Sequence, residues 1–113
     1  MIDIYERVLI RGLDDWVTMT EVVFEATFDP QLAVAAVRRA LRDATMQAGD
    51  VDREGFVAWP LPPDEAADRI SAELSTMDIN DLNPGDIAWL RNTPAGNQLA
   101  EAALSREERG TTA

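Results

Sequence analysis

The sequence predicts an α+β fold that is mostly helical, and three observations support this prediction. Apolar residues recur three and four positions apart in several separate stretches, a spacing typical of amphipathic helices. Residues 50–59 contain two short runs that favour β-strands on either side of a turn, which predicts one hairpin. Hydrophobic residues make up 46% and charged residues 27% of the 113 positions, which is typical of a globular domain with one modest core.

The first part of the chain predicts two short helices. Apolar residues between positions 5 and 13 lie on one helical face, and residues 16–17 favour a short extended piece. Thr18 and Glu21 have the spacing of a capping box, in which the Thr18 hydroxyl accepts a hydrogen bond from the Glu21 amide. The second helix is therefore expected to begin at Thr18 and to be closed by Phe28.

A third helix and a hairpin are expected next. Asp29 is a favourable N-cap and Pro30 a favourable first helical residue. Apolar positions continue on one face to about Gln47, and Gly49 is expected to end this helix. The hairpin of residues 50–59 follows.

The second half predicts further helices. Prolines at positions 60, 62 and 63 end the hairpin and open a fourth helix that continues to about residue 77. Residues 78–85 form a loop, and residues 87–90 favour another turn or two of helix. A last helix begins at Thr93 and can pack on its own core or on a second copy of the chain. We expect one domain over residues 1–104, with this helical extension, and a flexible tail over residues 105–113.

The order of helix, helix, helix and hairpin resembles a winged helix-turn-helix domain over roughly residues 2–59. The segments behind the resemblance are the helices at 18–28 and 29–47 and a wing at 50–59. The resemblance implies that the helix of residues 29–47 enters the major groove of DNA. Winged-helix domains are also used as protein-docking modules, so the resemblance alone leaves both functions open.

The concentrated positive charge of the chain lies on the third predicted helix. The candidate nucleic-acid contacts are Arg38, Arg39 and Arg42, with Arg53 on the predicted wing. The alternative interpretation is a solvated helix face, in which Arg39 is partly neutralised by Asp43 at the i,i+4 spacing. We favour the alternative, because Arg53 is the only other basic residue near the wing.

Acidic residues dominate the charge of the chain. The sequence has 21 acidic and 10 basic residues, a net charge of −11, and residues 50–113 alone have 13 acidic residues against 5 arginines. Such a field repels the phosphates of nucleic acids and favours a basic protein partner. The alternative is that the acidic face only keeps the protein soluble. The candidate partner contacts are Asp64, Glu65, Asp68, Glu73, Asp78, Asp81 and Asp86.

The residue types offer little for catalysis or for cofactor and metal binding. Histidine, cysteine and lysine are absent, so the carboxylates and Tyr5 are the remaining acids and bases. Residues 50–55 begin like a calcium loop, but Leu61 stands where the loop requires a bidentate Glu, and Arg53 adds an opposing charge. We therefore expect no enzyme activity, no cofactor and no metal site.

The remaining expectations concern location and core. The N-terminal residues lack the basic and apolar regions of a signal peptide, and no apolar run reaches the length of about 20 residues that a membrane span needs. We therefore expect a cytoplasmic protein. The alanine-rich composition, in which every basic residue is arginine, favours a bacterial source.

The aromatic residues expected in the core are Trp16, Phe24, Phe28, Phe56, Trp59 and Trp89.

The function that the sequence favours is a non-enzymatic, acidic protein-interaction or regulatory module that binds a protein partner. The alternative is a DNA-binding transcriptional regulator that uses the helix of residues 29–47 and the wing of residues 50–59. Net charge favours the first hypothesis, and the order of the elements favours the second.

Overall fold

A computed structural model describes residues 2–111 of the protein, with side chains through residue 108. Over this range the fold is α+β and mostly helical, as the sequence predicts. The helices are α1 (Ile4–Arg11), α2 (Met19–Glu25), α3 (Pro30–Arg42), α4 (Pro63–Ser75) and α5 (Pro94–Thr111), with a 3₁₀ turn at Ile79–Asp81. The strands are β1 (Val17–Thr18), β2 (Met46–Asp52), β3 (Gly55–Ala58) and β4 (Trp89–Asn92).

The four strands form one antiparallel sheet in the order β1-β4-β2-β3. Strand β4 lies in the interior of this sheet, where Leu90 pairs with Val17 of β1 on one side and with Ala48 of β2 on the other. These three side chains are buried and face the helices. The two halves of the chain are therefore joined through the centre of the sheet.

The core lies between the helices and the inner face of the sheet. Helix α3 packs most extensively against α4, and α1 packs against α5. The largest side chains that are fully buried come from both halves of the chain, and they include Leu9, Met19, Ile70 and Leu90. The hydrophobic effect thus stabilises one core, to which residues from Tyr5 to Ala100 contribute.

The predicted starts of α2 and α3 are confirmed. The Thr18 hydroxyl accepts a hydrogen bond from the Glu21 amide at 3.2 Å, and the Glu21 carboxylate accepts one from the Thr18 amide at 3.2 Å. The Asp29 carboxylate accepts a bond from the Gln31 amide at 2.9 Å, one residue after Pro30. Each such cap stabilises its helix by about 1 kcal/mol.

The predicted end of α3 is wrong. The helix ends at Arg42 rather than near Gln47, because Ala44 adopts a left-handed φ of 57° that a right-handed helix cannot continue. Gly49, expected to end the helix, lies inside β2 and pairs with Ala58. A Cβ at Gly49 would collide with the Val57 carbonyl oxygen, so the close approach of β3 requires this glycine.

The helix predicted at residues 87–90 is also wrong, because this segment leads into strand β4. Along the strand Leu90 is buried, whereas the flanking Trp89 is half-buried and Arg91 is exposed. This is the two-residue alternation of a strand with one face on the core. A run of four residues is too short for its periodicity to distinguish a helix from a strand.

The prediction that all large aromatic residues lie in the core is only partly correct. Trp59 is buried, and Trp16, Phe56 and Trp89 are half-buried on the outer face of the sheet. Phe24 is instead 57% exposed, because α2 uses its other face, with Val22 and Val23, to contact the core, and Phe28 is 54% exposed in the left-handed turn after the helix. Sequence spacing around a seven-residue helix did not reveal this orientation.

Two further predictions concern residues 105–113 and the winged-helix resemblance. Helical backbone continues through α5 to Thr111, and residues 112–113 lie outside the described part of the chain, so the flexible tail stays a prediction. The elements follow the order α1-β1-α2-α3-β2-β3, with β4 placed between β1 and the hairpin. The winged-helix interpretation also stays a prediction.

Within residues 2–111, no helix is both long and apolar enough to cross a membrane.

Candidate functional site

Two of the arginines proposed for nucleic-acid binding contact two of the acids proposed for partner binding. Arg38 of α3 donates hydrogen bonds to Asp68 at 2.7 Å and to Asp64 at 3.4 Å, both on α4. Arg42 donates a bond to the same Asp64 oxygen at 2.7 Å. These four residues, here called the ion-pair cluster, join the C-terminal half of α3 to the first two turns of α4.

The contacts within the ion-pair cluster shift the pKa values of two of its groups, Asp64 and Arg38. The hydrogen bond from Arg42, aided by the charge of Arg38, holds the pKa of the Asp64 carboxyl below its usual value. The hydrogen bond to Asp68 raises the pKa of the Arg38 guanidinium. Both shifts favour the charged forms of Asp64 and Arg38, and the cluster sets two arginines against two aspartates. Because the carboxylates are exposed, water screens these ion pairs and they contribute little to stability.

Arg39 and Arg53 lie apart from the ion-pair cluster. The Arg39 guanidinium lies 4.0 Å from the centre of the Tyr5 ring and within 4 Å of two carboxylates, Asp3 at 3.9 Å and Asp43 at 3.7 Å. Arg53 lies on the turn of the hairpin, where its side chain makes no ion pair with any described residue. Three of the four predicted nucleic-acid contacts therefore already have acidic partners within the protein.

An apolar groove runs beside the ion-pair cluster, between α3 and α4. Its volume is about 550 Å³. Arg38 closes one end, and Met77, which is 36% exposed, lies at the other. The other residues that line it are Pro30, Gln31, Val34, Ala35, Ser71, Leu74 and Ser75. We call this feature the α3–α4 groove.

Two exposed acidic residues neighbour residues that line the α3–α4 groove, Asp68 through its bond to Arg38 and Asp78 as the residue after Met77. Asp68 precedes Ser71 by three residues on the same face of α4, and its side chain is 68% exposed although it binds Arg38. Asp78 directly follows Met77 and accepts a hydrogen bond from the Asn80 amide at 3.0 Å. The groove therefore has a mostly apolar lining with two exposed acidic residues next to lining residues.

The other predicted partner contacts do not border this groove as a group. Glu73 and Asp86 line a separate polar hollow of about 440 Å³ together with Asp50. Glu73 lies 4.0 Å from Arg69, and Asp86 accepts a hydrogen bond from the Asn83 amide at 2.9 Å. Within residues 2–111 no cluster of acidic residues is arranged to hold a metal ion.

Glu65 and Asp81 complete the predicted set. Both are exposed, Glu65 in the first turn of α4 and Asp81 in the 3₁₀ turn. The predicted acidic contacts thus do not form one surface. Some lie near the α3–α4 groove, some line the polar hollow, and the others are isolated on the surface.

Sequence reasoning missed the α3–α4 groove, although a signal for it exists. Residues 32–37 are six consecutive apolar residues and therefore surround the helix instead of covering a single face. A helix that is apolar on all sides is expected to contact more than one neighbour. In the structure Val34 and Leu74, which lie on the apolar faces of α3 and α4, both line the groove.

Comparisons with known proteins give one partial similarity. No protein-family model matches the chain, and no solved structure matches it. The chain is similar to a chaperone protein HscA homolog of Paracidovorax citrulli (strain AAC00-1), with 32% identity over 92 residues. The similar region covers 81% of this chain but only 14% of the relative.

Proposed function

We propose that the protein is a non-enzymatic interaction module whose α3–α4 groove binds an amphipathic, basic helix of a partner protein. The observation that carries this proposal is the mostly apolar lining of the groove, with Asp68 bonded to the lining residue Arg38 and Asp78 directly after the lining residue Met77. The similarity to a protein named as a chaperone supports a role in contacts with other proteins. A cytoplasmic location is part of the same proposal.

The shape of the groove suits a helical segment. From Pro30 to Arg38 the α3 wall rises about 12 Å, which equals about two turns of a partner helix. A helix that lies in such a groove contacts it through apolar side chains at positions i, i+3 or i+4, and i+7. Val34, Leu74 and Met77 provide the apolar surface for these side chains.

The charge of the protein favours basic residues at the ends of the partner helix. Lysine or arginine at either end of the partner helix can pair with Asp68 and Asp78. The net charge of −11 attracts a basic partner over long range and raises the association rate, most strongly at low salt. An acidic partner would meet repulsion from the same field.

A DNA-binding regulator remains the second proposal, supported by the order of the elements from α1 to β3. To bind phosphate or base edges, Arg38 and Arg42 would have to leave Asp64 and Asp68. The carboxylates would then be left near the DNA backbone without their partners. This cost and the net charge favour protein docking over DNA binding.

The proposal is tested with a synthetic helical peptide that has leucines at positions i, i+4 and i+7 and lysines at both ends. We expect saturable binding by fluorescence anisotropy and at least about tenfold weaker binding by Met77→Asp, which places a charge in the groove. The matched control is Leu99→Asp, because Leu99 is 46% exposed on α5, away from the groove. Its affinity should equal that of the unmodified protein.

Two further arms separate the competing explanations. A peptide with the same composition but scrambled leucine positions should not bind, because it retains the charge and lacks the apolar face. Labelled duplex DNA should not bind at low salt. Equal binding of both peptides would show that charge alone explains the interaction and would contradict docking in the groove. Salt-sensitive binding of the DNA would support the DNA-binding regulator instead.

A further inference from the structure

We propose that a second surface, at the corner between α2 and α3, joins two copies of this chain in a symmetric dimer. The corner patch consists of Phe24, Phe28 and Leu32, which are 57%, 54% and 45% exposed. None of these three residues lines the α3–α4 groove, although the hollow beside them shares Ala35 with it, so the proposal goes beyond the proposed docking function.

The protruding part of this surface is an aromatic pair. The rings of Phe24 and Phe28 are 6.2 Å apart and nearly perpendicular, at 83°. The Arg11 guanidinium lies 5.5 Å from the centre of the Phe24 ring on α2. Exposed aromatic pairs of this size are uncommon on a monomer and typical of interfaces.

The backbone holds Phe28 in this exposed position. Thr27 and Phe28 both have left-handed φ angles, 56° and 62°, which residues other than glycine rarely adopt. The Phe28 amide donates a hydrogen bond to the Val23 carbonyl at 2.9 Å, which fixes the turn at the end of α2. A β-branched residue and a bulky aromatic in this conformation indicate a functional constraint on the corner.

A hollow lies directly beside the aromatic pair. Its volume is about 500 Å³, and it lies between the start of α1 and the first turns of α3. Thr27 and Leu32 line one side, next to Phe28, and Ile4 and Ala35 are among its apolar residues. A protrusion and a hollow are thus adjacent on one surface. In a twofold dimer the same patch faces itself, so the aromatic pair of each copy can enter the hollow of the other.

Local charge favours a second copy over a basic partner as the occupant. The ionic residues that line the hollow are Asp3, Glu25, Arg7 and Arg39, which balance to zero. Residues 1–49 have 8 acidic residues against 5 arginines, whereas residues 50–113 have 13 against 5. Two like-charged chains can approach most closely where local charge is balanced, whereas a basic partner would gain nothing at this surface.

The test is the oligomeric state of the full chain, measured by sedimentation velocity over about a hundredfold range of concentration. We expect a reversible dimer that becomes tighter as salt rises, because salt screens the repulsion between two chains of net charge −11. Phe28→Asn should raise the dissociation constant at least about tenfold. Asparagine is chosen because it tolerates the left-handed conformation that this position requires.

Two control variants keep the proposal falsifiable. Val57→Asn alters a residue that is 51% exposed on β3, so it should leave the dimer unchanged. Leu32→Asn is a second patch variant, placed in α3, in case Phe28→Asn fails to fold. A monomer at every concentration, or a dimer that neither patch variant weakens, overturns the proposal. Since Phe28→Asn leaves the α3–α4 groove intact, it should bind the basic peptide as the unmodified protein does.

Discussion

The backbone of this chain is strained at individual non-glycine residues that have left-handed φ angles. Ala44 has a φ of 57° and follows the C-cap of α3, and its carbonyl accepts a hydrogen bond from the Thr93 hydroxyl at 2.6 Å. The position is where helices usually have glycine, because an L side chain costs about 1 kcal/mol in this conformation. The chain thus uses alanine to turn from α3 into β2.

Ala44→Gly is expected to raise the free energy of unfolding by up to about 1 kcal/mol, since glycine relieves the strain and only part of the gain is offset in the unfolded state. Urea denaturation measures this change. The matched control is Ala35→Gly inside α3, which should lower stability by about 1 kcal/mol. Loss of stability in Ala44→Gly would show that residue 44 is not left-handed.

The pKa of the Asp64 carboxyl tests whether the ion-pair cluster forms in solution. Its pKa is lowered from the usual 3.8, first by the hydrogen bond from Arg42 and then by Arg38. A depressed carboxyl pKa stabilises the fold above the unfolded value, and this contribution is lost as the pH falls below 3.8 through the folded pKa. An NMR titration should place the pKa of Asp64 below 3.8 and find it closer to that value in Arg42→Ala. An unshifted pKa would contradict the cluster.

At the scale of elements, Gly49 distinguishes the strand that we observe from the helix end that the sequence predicts. At a helix C-terminus, alanine in place of glycine costs about 1 kcal/mol. Within β2, a Cβ at this position would meet the Val57 carbonyl and lie 2.9 Å from the Ala58 Cα. Gly49→Ala should therefore lower the free energy of unfolding by about 1–3 kcal/mol, measured by urea denaturation, with loss of the β2–β3 pairing. A milder effect, with amide exchange in β3 unchanged, would contradict this register.

At the scale of the whole molecule, the sequence predicted those features that short-range chemistry determines. The caps at Thr18 and Asp29 depend on residues three or fewer positions apart, and both are present. Strand β4 was missed because Leu90 is specified by partners more than 40 residues away, Val17 and Ala48. Long-range pairing of this kind leaves no local pattern in a four-residue segment.

At the candidate site, too, the sequence revealed local features but not long-range contacts. The charges of Arg38 and Asp64 were evident in the sequence, but their pairing spans 26 residues and depends on how α3 packs against α4. The sequence therefore assigned the two groups to opposite functions, one to DNA and one to a protein partner. The groove that lies between their helices could be identified only after that packing was known.

The proposed docking function is tested most directly by NMR titration of the ¹⁵N-labelled protein with the basic amphipathic peptide. The expected result is a set of saturable shift changes confined to the walls of the α3–α4 groove, at residues 30–38 and 71–77. The Met77→Asp variant should lose these changes, and Leu99→Asp should keep them. Small changes spread over all acidic surfaces, or none at saturating peptide, would contradict the assignment of this groove as the binding site.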